Sequence, residues 1–129
     1  MLSLNPKKNN HRLSALLQNA SFNYNEERAI CGAIRELSER YPFIKKIILY
    51  GSKARGDFVE DSDIDLLFIT DIDVPRATKY EIYDILYRYE LENNIVFSAV
   101  FVRDEDFKKR KNLFLINVRK EGIVLWSKD

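Results

Sequence analysis

Two apolar runs, joined through a glycine turn and an acidic segment, constrain the fold of this chain more than any other feature. The first run covers residues 45–50 and ends at Gly51 and Ser52, and the second covers residues 64–70. Both have the length and the aliphatic content of buried β-strands. Asp63 and Asp65 stand two residues apart at the start of the second run. Because side chains alternate along a strand, the sequence predicts that both carboxylates point to the same face.

The turn after the first predicted strand has the composition of a phosphate-binding turn. Gly51 lets the backbone turn sharply, and the Gly-Ser pair lets an anion approach main-chain N–H groups closely. Ser52 adds a hydroxyl donor, and the residues that follow can form a helical turn whose N-terminus favours an anion. Lys53 and Arg55 can supply positive charge to a triphosphate. A solvated surface position is the alternative for these two cations.

The two carboxylates of the second run are candidate metal ligands. Hard divalent cations prefer carboxylate oxygens, and Mg²⁺ is usually held by one or two carboxylates together with substrate phosphates. Asp63 and Asp65 flank apolar strand residues, where a charge without a partner is costly. We therefore expect them to hold Mg²⁺ beside the phosphate turn. The acidic residues between the two strands, Asp57, Glu60 and Asp61, are interpreted as solvated loop residues.

The rest of the pattern predicts one α/β (α+β) domain with a small mixed sheet flanked by helices. Asn25 is expected to cap a helix that ends before Pro42, and a second helix is expected over residues 75–92. A third apolar strand over 95–102, helical residues within 104–120 and a short strand over 123–126 complete the order α-β-β-α-β-α-β. Residues 1–24 are expected to be a partly flexible segment that includes a short helix over 13–18, and residues 25–129 are expected to form the domain.

Composition argues against several classes of function. The 129 residues carry a net charge of +1, which does not favour nucleic-acid binding. The basic run at residues 108–111 suits the C-terminal end of a helix that begins with acidic residues. No apolar segment approaches the roughly 18 residues of a membrane span, and no signal-peptide pattern is present, so a cytoplasmic protein is expected.

The helix predicted over residues 75–92 carries more apolar and aromatic residues than one core-facing stripe needs. Its surplus consists of tyrosines, among them Tyr80, Tyr83 and Tyr87. Tyrosine is enriched at protein interfaces. The sequence leaves two interpretations open, a wide core face and a surface for a partner protein or a second copy of the chain.

The turn and the carboxylates together resemble the signature of the minimal nucleotidyltransferases, a group within the DNA polymerase beta-like superfamily. The segments Gly-Ser-Lys-Ala-Arg-Gly-Asp and Glu-Asp-Ser-Asp-Ile-Asp-Leu carry the resemblance, which is clear over residues 50–69. The resemblance implies a polymerase beta-like nucleotidyltransferase fold and transfer of a nucleoside monophosphate, usually AMP from ATP, to a hydroxyl group. Gly51 and Ser52 would hold the triphosphate, and Asp63 and Asp65 would bind magnesium.

The resemblance also implies a partner. Many members of the group are encoded beside a helical HEPN protein and act as antitoxins, some by adenylylating the HEPN toxin on tyrosine. This sequence departs from the group at one position, since catalytically complete members carry a third carboxylate on the third strand. Here Ser98 is the only polar residue of the predicted third strand, and Asp104 lies too far along the chain to replace that carboxylate.

Two hypotheses of function follow from these expectations. The first is a magnesium-dependent transferase that modifies a hydroxyl of a protein partner, plausibly a HEPN toxin. The second is a nucleotide-binding module with impaired catalysis that neutralises its partner by stoichiometric binding, which the missing third carboxylate favours. Transfer to a small molecule is a weaker alternative.

Overall fold

The computed structural model describes residues 22–56 and 63–128 of the chain. The described residues form five helices and four strands. In chain order they are α1 (Tyr24–Arg40), β1 (Ile44–Tyr50), α2 (Gly51–Arg55), β2 (Ile64–Thr70), α3 (Arg76–Asn93), β3 (Phe97–Arg103), α4 (Asp104–Lys109), α5 (Leu113–Glu121) and β4 (Ile123–Ser127).

The four strands form one mixed sheet in the order β3-β2-β1-β4. β1 is antiparallel to both β2 and β4, while β2 and β3 are parallel and are connected through α3. The predicted fold class, a small mixed sheet flanked by helices, is therefore confirmed. The one-turn helix α2 directly after β1 corresponds to the helical turn that the sequence indicated after Ser52. The structure also separates α4 from α5, because the Asn112 side chain accepts a hydrogen bond from the Leu115 N–H (2.8 Å) and caps a new helix.

Each face of the sheet buries its own apolar cluster. On one face Leu49 and Leu66 lie side by side and pack with residues of α1 and α3 in the main core. On the other face Ile48 and Leu67 form a smaller cluster with Val118 of α5. Strand β2 lies between two strands and is covered on both faces, which explains its nearly continuous apolar sequence.

The start of α1 corrects one expectation. The N-cap is Asn23 rather than Asn25, because the Asn23 side chain accepts from the Glu26 N–H (2.8 Å) while the Glu26 carboxylate accepts from the Asn23 N–H (3.0 Å). This reciprocal pair is a capping box, which satisfies two backbone donors at once. The first turn carries Glu26 and Glu27, the charge sign that is favourable at a helix N-terminus.

The beginnings of three other elements differ by one or two residues from expectation. β1 starts at Ile44, one residue earlier than expected. Pro75 is the N-cap of α3, and the helix proper starts at Arg76. β3 starts at Phe97, because the left-handed Asn94 (φ 54°) ends α3 and residues 95–96 lead into the sheet. The predicted helix over 13–18 lies outside the described residues, and the boundary between residues 24 and 25 stays a prediction.

The surplus aromatic residues of α3 face solvent. Ile82, Ile85 and Leu86 make the buried side of the helix, whereas Tyr87 is 57% exposed and Leu91 is 67% exposed. Tyr80 and Tyr83 lie on the same exposed side and contact each other edge to face. The interpretation of a wide core face is therefore wrong, while a partner or second copy on this side stays a prediction. Within the described ranges, no helix is both long and apolar enough to cross a membrane.

Candidate active site

Asp65 is the polar interruption of an otherwise buried strand. It is half-buried in β2, where Ile64 before it and residues 66–70 after it are buried. In the sheet register Asp65 pairs with Tyr50 of β1 on one side and with Ser98 of β3 on the other. Register partners share a face of the sheet. The three side chains therefore form a row at one end of the face that α5 covers.

Asp63 lies immediately before β2 and is exposed. Its carboxylate is near enough to Asp65 that its charge raises the pKa of Asp65, in addition to the larger effect of burial. The guanidinium of Arg55 partly opposes both effects and lowers that pKa. The structure thus brings Asp63, Asp65 and Arg55 into one electrostatic neighbourhood, in which the two carboxylates repel each other.

The glycine turn lies directly against Asp65. Gly51 has a φ of +75°, which is in the left-handed region that favours glycine. A Cβ built on Gly51 would overlap the Oδ2 atom of Asp65. The Asp65 carboxylate therefore packs directly against the main chain of Gly51, and only glycine leaves room for this contact. Ser52 follows in the first turn of α2 and is partly accessible.

The structure places Lys53 differently from the sequence expectation. The side chain is buried, and its Nζ atom lies 2.7 Å from the Oε2 atom of Glu26 in α1 and 5.7 Å from the centre of the Phe22 ring. This position directs the side chain toward α1 and does not favour a contact with phosphate, so the role of Lys53 as a phosphate ligand stays an untested prediction. Lys53 is not the solvated cation of the alternative interpretation.

Arg55 remains on the open side of the site. Its side chain is partly exposed and its Nη1 atom is 3.5 Å from the Oε2 atom of Glu121 at the end of α5. The same guanidinium acts on the pKa of Asp65. Among the described residues, Arg55 is thus a cation beside the carboxylates, and its role toward phosphate stays a prediction.

Sequence reasoning did not single out the residues that surround this site from other elements. Tyr50 packs edge to face against Phe114 of α5, with ring centres 5.3 Å apart, and burial together with the charge of Asp65 raises the pKa of its hydroxyl. Glu26 lies in the first turn of α1, where an acidic residue is ordinary. Because side chains alternate along β1, the sequence could have predicted that Tyr50 points to the face of the site. No sequence pattern near Glu26 or Phe114 indicates that these residues lie close to the site.

Ser98, which the resemblance places at the third-carboxylate position, stays a prediction for that role. It is the register partner of Asp65, and β3 contains no Asp or Glu. Asp104 lies beyond the opposite end of β3, where it accepts a hydrogen bond from Lys45 at 3.0 Å. In the part of the chain that the structure describes, no cluster of three or more His, Cys, Asp or Glu side chains could hold a metal. Asp57, Glu60 and Asp61 lie outside the described residues.

The donor set nevertheless fits a divalent cation that also binds substrate phosphates. Two neighbouring carboxylates supply oxygen ligands. Burial, and after it the charge of Asp63, raises the pKa of Asp65, and a cation between the two carboxylates would relieve their repulsion. Mg²⁺ commonly takes one or two carboxylates and completes its shell with phosphate and water oxygens. Asp63 and Asp65 match that requirement.

Comparison with known proteins gives matches over most of the chain. A family model described as "Nucleotidyltransferase domain" matches residues 30–125. A relative from Methanocaldococcus jannaschii, named "Putative protein adenylyltransferase MJ0604", is 40% identical over 104 residues, which are 79% of this chain and 99% of that protein.

Two solved structures share the fold. A toxin–antitoxin crystal structure with AMP-PNP has a TM-score of 0.56 at 18% identity, and the match covers 79% of this chain and 73% of that chain. A structure described as tri-AMPylated Shewanella oneidensis HEPN toxin in complex with MNT antitoxin has a TM-score of 0.50 at 17% identity, with 74% of this chain and 66% of that chain covered. At these identities the likeness concerns the fold.

The close approach of Gly51 to Asp65 yields a prediction with a matched control. Gly51→Ala and Gly56→Ala both place a Cβ at a positive φ, which costs about 1 kcal/mol of stability each. Only Gly51→Ala also displaces the Asp65 carboxylate, because nothing lies within 4 Å of a Cβ at Gly56. We expect loss of magnesium-dependent nucleotide binding in Gly51→Ala alone, measured by calorimetry on folded protein. Equal binding by both variants would contradict this close contact.

The raised pKa of Asp65 predicts that this carboxylate destabilises the fold. The folded state holds the Asp65 proton more tightly than the unfolded state, so stability falls as pH rises from the usual value of 3.8 through the raised pKa. Asp65→Asn should therefore unfold at higher urea than the wild type at pH 7, and the difference should shrink as the pH is lowered. Mg²⁺ should stabilise the wild type but not the variant.

Asp84→Asn, at an exposed position on α3, is the control for removing one negative charge. It should show neither the gain at pH 7 nor the altered response to magnesium. A wild type that is more stable than Asp65→Asn at pH 7 without metal would contradict the predicted cost.

Proposed function

The chain belongs to the nucleotidyltransferase domain family, of the polymerase beta-like type, and from that premise we propose that it transfers AMP from ATP to a hydroxyl of a protein partner. The observation that carries the proposal is the contact between the Gly51 turn and Asp65, with Asp63 beside it. Together they offer main-chain donors for phosphate and carboxylate oxygens for a cation within one small site. Such a site suits a metal-bound triphosphate.

The proposed reaction makes one bond and breaks one. The acceptor oxygen attacks the α-phosphorus, the bond from that phosphorus to the bridging oxygen breaks, and pyrophosphate leaves while the hydroxyl proton passes to solvent. Asp63 and Asp65 would hold Mg²⁺, which when bound neutralises charge on the α-phosphoryl group and on pyrophosphate. Gly51 and Ser52 would orient the triphosphate through main-chain N–H groups and a hydroxyl. Arg55 adds positive charge on the same side.

A protein acceptor is supported by the relatives. The name of the Methanocaldococcus jannaschii relative is that of a protein adenylyltransferase, and this chain covers nearly all of it. The Shewanella oneidensis complex contains an AMP-modified HEPN toxin bound to an MNT antitoxin. We therefore propose a HEPN-type protein as acceptor and an antitoxin role for this chain.

The direct test is capture of partners from the native host followed by incubation with ATP and magnesium. Intact mass spectrometry of every captured protein should show one partner that gains the mass of AMP. Asp63→Ala and Asp65→Ala should each reduce this transfer by more than about 100-fold, since a metal supplies several kcal/mol of transition-state stabilisation. Asp71→Ala, at an exposed position just after β2, is the matched control and should transfer normally. Full activity in both site variants would refute the proposal.

One observation favours a second candidate function. Ser98 stands beside Asp65 in the sheet, and the resemblance implies a carboxylate at this position in catalytically complete members of the group. The chain could then bind nucleotide with slow or no chemistry and neutralise its partner by occupying it stoichiometrically. A captured partner that stays unmodified in the presence of ATP and magnesium would favour this candidate.

Ser98→Asp separates the two candidates. A third carboxylate beside Asp65 should raise the transfer rate by on the order of 10-fold or more while partner binding stays unchanged. Ser98→Asn has a similar size without the charge and should not increase the rate. The assay is AMP incorporation under saturating ATP, with partner affinity measured separately. Loss of partner binding in Ser98→Asp would count against neutralisation by stoichiometric binding. Partner binding would then depend on the nucleotide site, which that candidate does not require.

A further inference from the structure

The helix that carries the phosphate turn is too short to hold its own position. α2 contains five residues, and its N-cap, Tyr50, makes no side-chain capping hydrogen bond. A helix of this length is not stable by itself in water, because nucleation is costly and few hydrogen bonds follow it. Tertiary contacts must therefore fix the direction of the main-chain N–H groups at Gly51 and Ser52.

One such contact is a buried ion pair between Lys53 of α2 and Glu26 in the first turn of α1. The Nζ atom of Lys53 lies 2.7 Å from the Oε2 atom of Glu26, and the two residues are only 2% and 7% exposed. The other carboxylate oxygen of Glu26 accepts the Asn23 N–H at 3.0 Å in the capping box. Because both oxygens have donors and the helix cap fixes the carboxylate, Glu26 is a rigid anchor for Lys53.

The turn is thus held from two sides. Asp65 lies against the main chain of Gly51, and Glu26 holds the side chain two residues further on. We propose that Glu26 is a positioning residue that acts through Lys53 to orient the Gly51-Ser52 turn toward the triphosphate. The inference rests on the proposed nucleotide site, and it assigns to α1 a part in that site which the family motif does not contain.

A contribution to folding stability explains the Glu26–Lys53 ion pair less well than a positioning role does. Replacing a buried ion pair by uncharged side chains of similar size is often neutral for stability, whereas removing one partner leaves an uncompensated buried charge. The neutral double variant Glu26→Gln/Lys53→Met keeps the lengths of both side chains and an oxygen for the capping box. It should therefore fold, which allows the effect on the turn to be measured apart from an effect on folding.

The test compares wild type, the double variant and Glu36→Gln, in which another α1 carboxylate loses its ion pair with Arg88. Binding of the magnesium complex of α,β-methylene-ATP, which cannot transfer AMP, is measured by calorimetry. The amide NMR signals of Gly51 and Ser52 are followed without nucleotide. Lys53→Arg in the otherwise wild-type chain keeps the charge opposite Glu26. This conservative variant should bind the analogue with most of the wild-type affinity, unlike the double variant.

We expect the double variant to bind the analogue about 10-fold more weakly, at the low end of the effects seen for partners that orient ligating groups. Its Gly51 and Ser52 amide signals should shift or broaden, and KM for ATP should rise more than kcat falls. Wild-type affinity and unchanged amide signals in the double variant would overturn the inference, as would an equal loss in Glu36→Gln.

Failure of the proposed function has a different signature. A wild type that binds the analogue but modifies no partner refutes transfer, while the binding and NMR comparisons still decide the role of Glu26. A wild type that does not bind the analogue at all would overturn both the nucleotide site and the positioning role.

Discussion

A carboxylate inside a covered strand is the constraint on which the site depends. Asp65 interrupts the buried run of β2, and burial and the charge of Asp63 raise its pKa, which makes its ionised form less favourable than in water. An unfavourable buried charge of this kind is typical of a position where a bound ligand can offset its cost. Because the carboxylate fills the space beside Gly51, the same side chain also sets how the chain must turn at the end of β1.

The site is assembled from parts of the chain that are distant in sequence. β1 ends in the turn, β2 begins with the carboxylates, and β3 contributes Ser98 through a parallel pairing that α3 makes possible. α5 adds the Phe114 ring against Tyr50 and the Glu121 carboxylate near Arg55. The two faces of the sheet therefore have different roles. α1 and α3 cover the face that forms the main core, and the candidate site lies at one end of the face that α5 covers.

Much of this arrangement could be predicted from local sequence. β2 occupies the expected residues, because a strand covered on both faces must be apolar throughout. The α/β class and the mixed sheet were also predicted correctly. Boundaries were less accurate at Asn23, where the cap depends on which side chain reaches the Glu26 N–H, and at Asn94, whose left-handed backbone delays β3. The direction of Lys53 could not be predicted, since its partner lies on another helix.

The sequence by itself determined the strands, the glycine turn and the pair of carboxylates, because periodicity and backbone freedom are local properties. Only the tertiary structure decided which charges meet. It buried Lys53 against Glu26, left Arg55 beside Asp65, and set Ser98 next to Asp65 in the sheet. It also exposed the tyrosines of α3 that composition alone could have assigned to the core. The physical reason is that the energy of a charged or aromatic side chain depends on neighbours brought close by the fold, which local sequence does not specify.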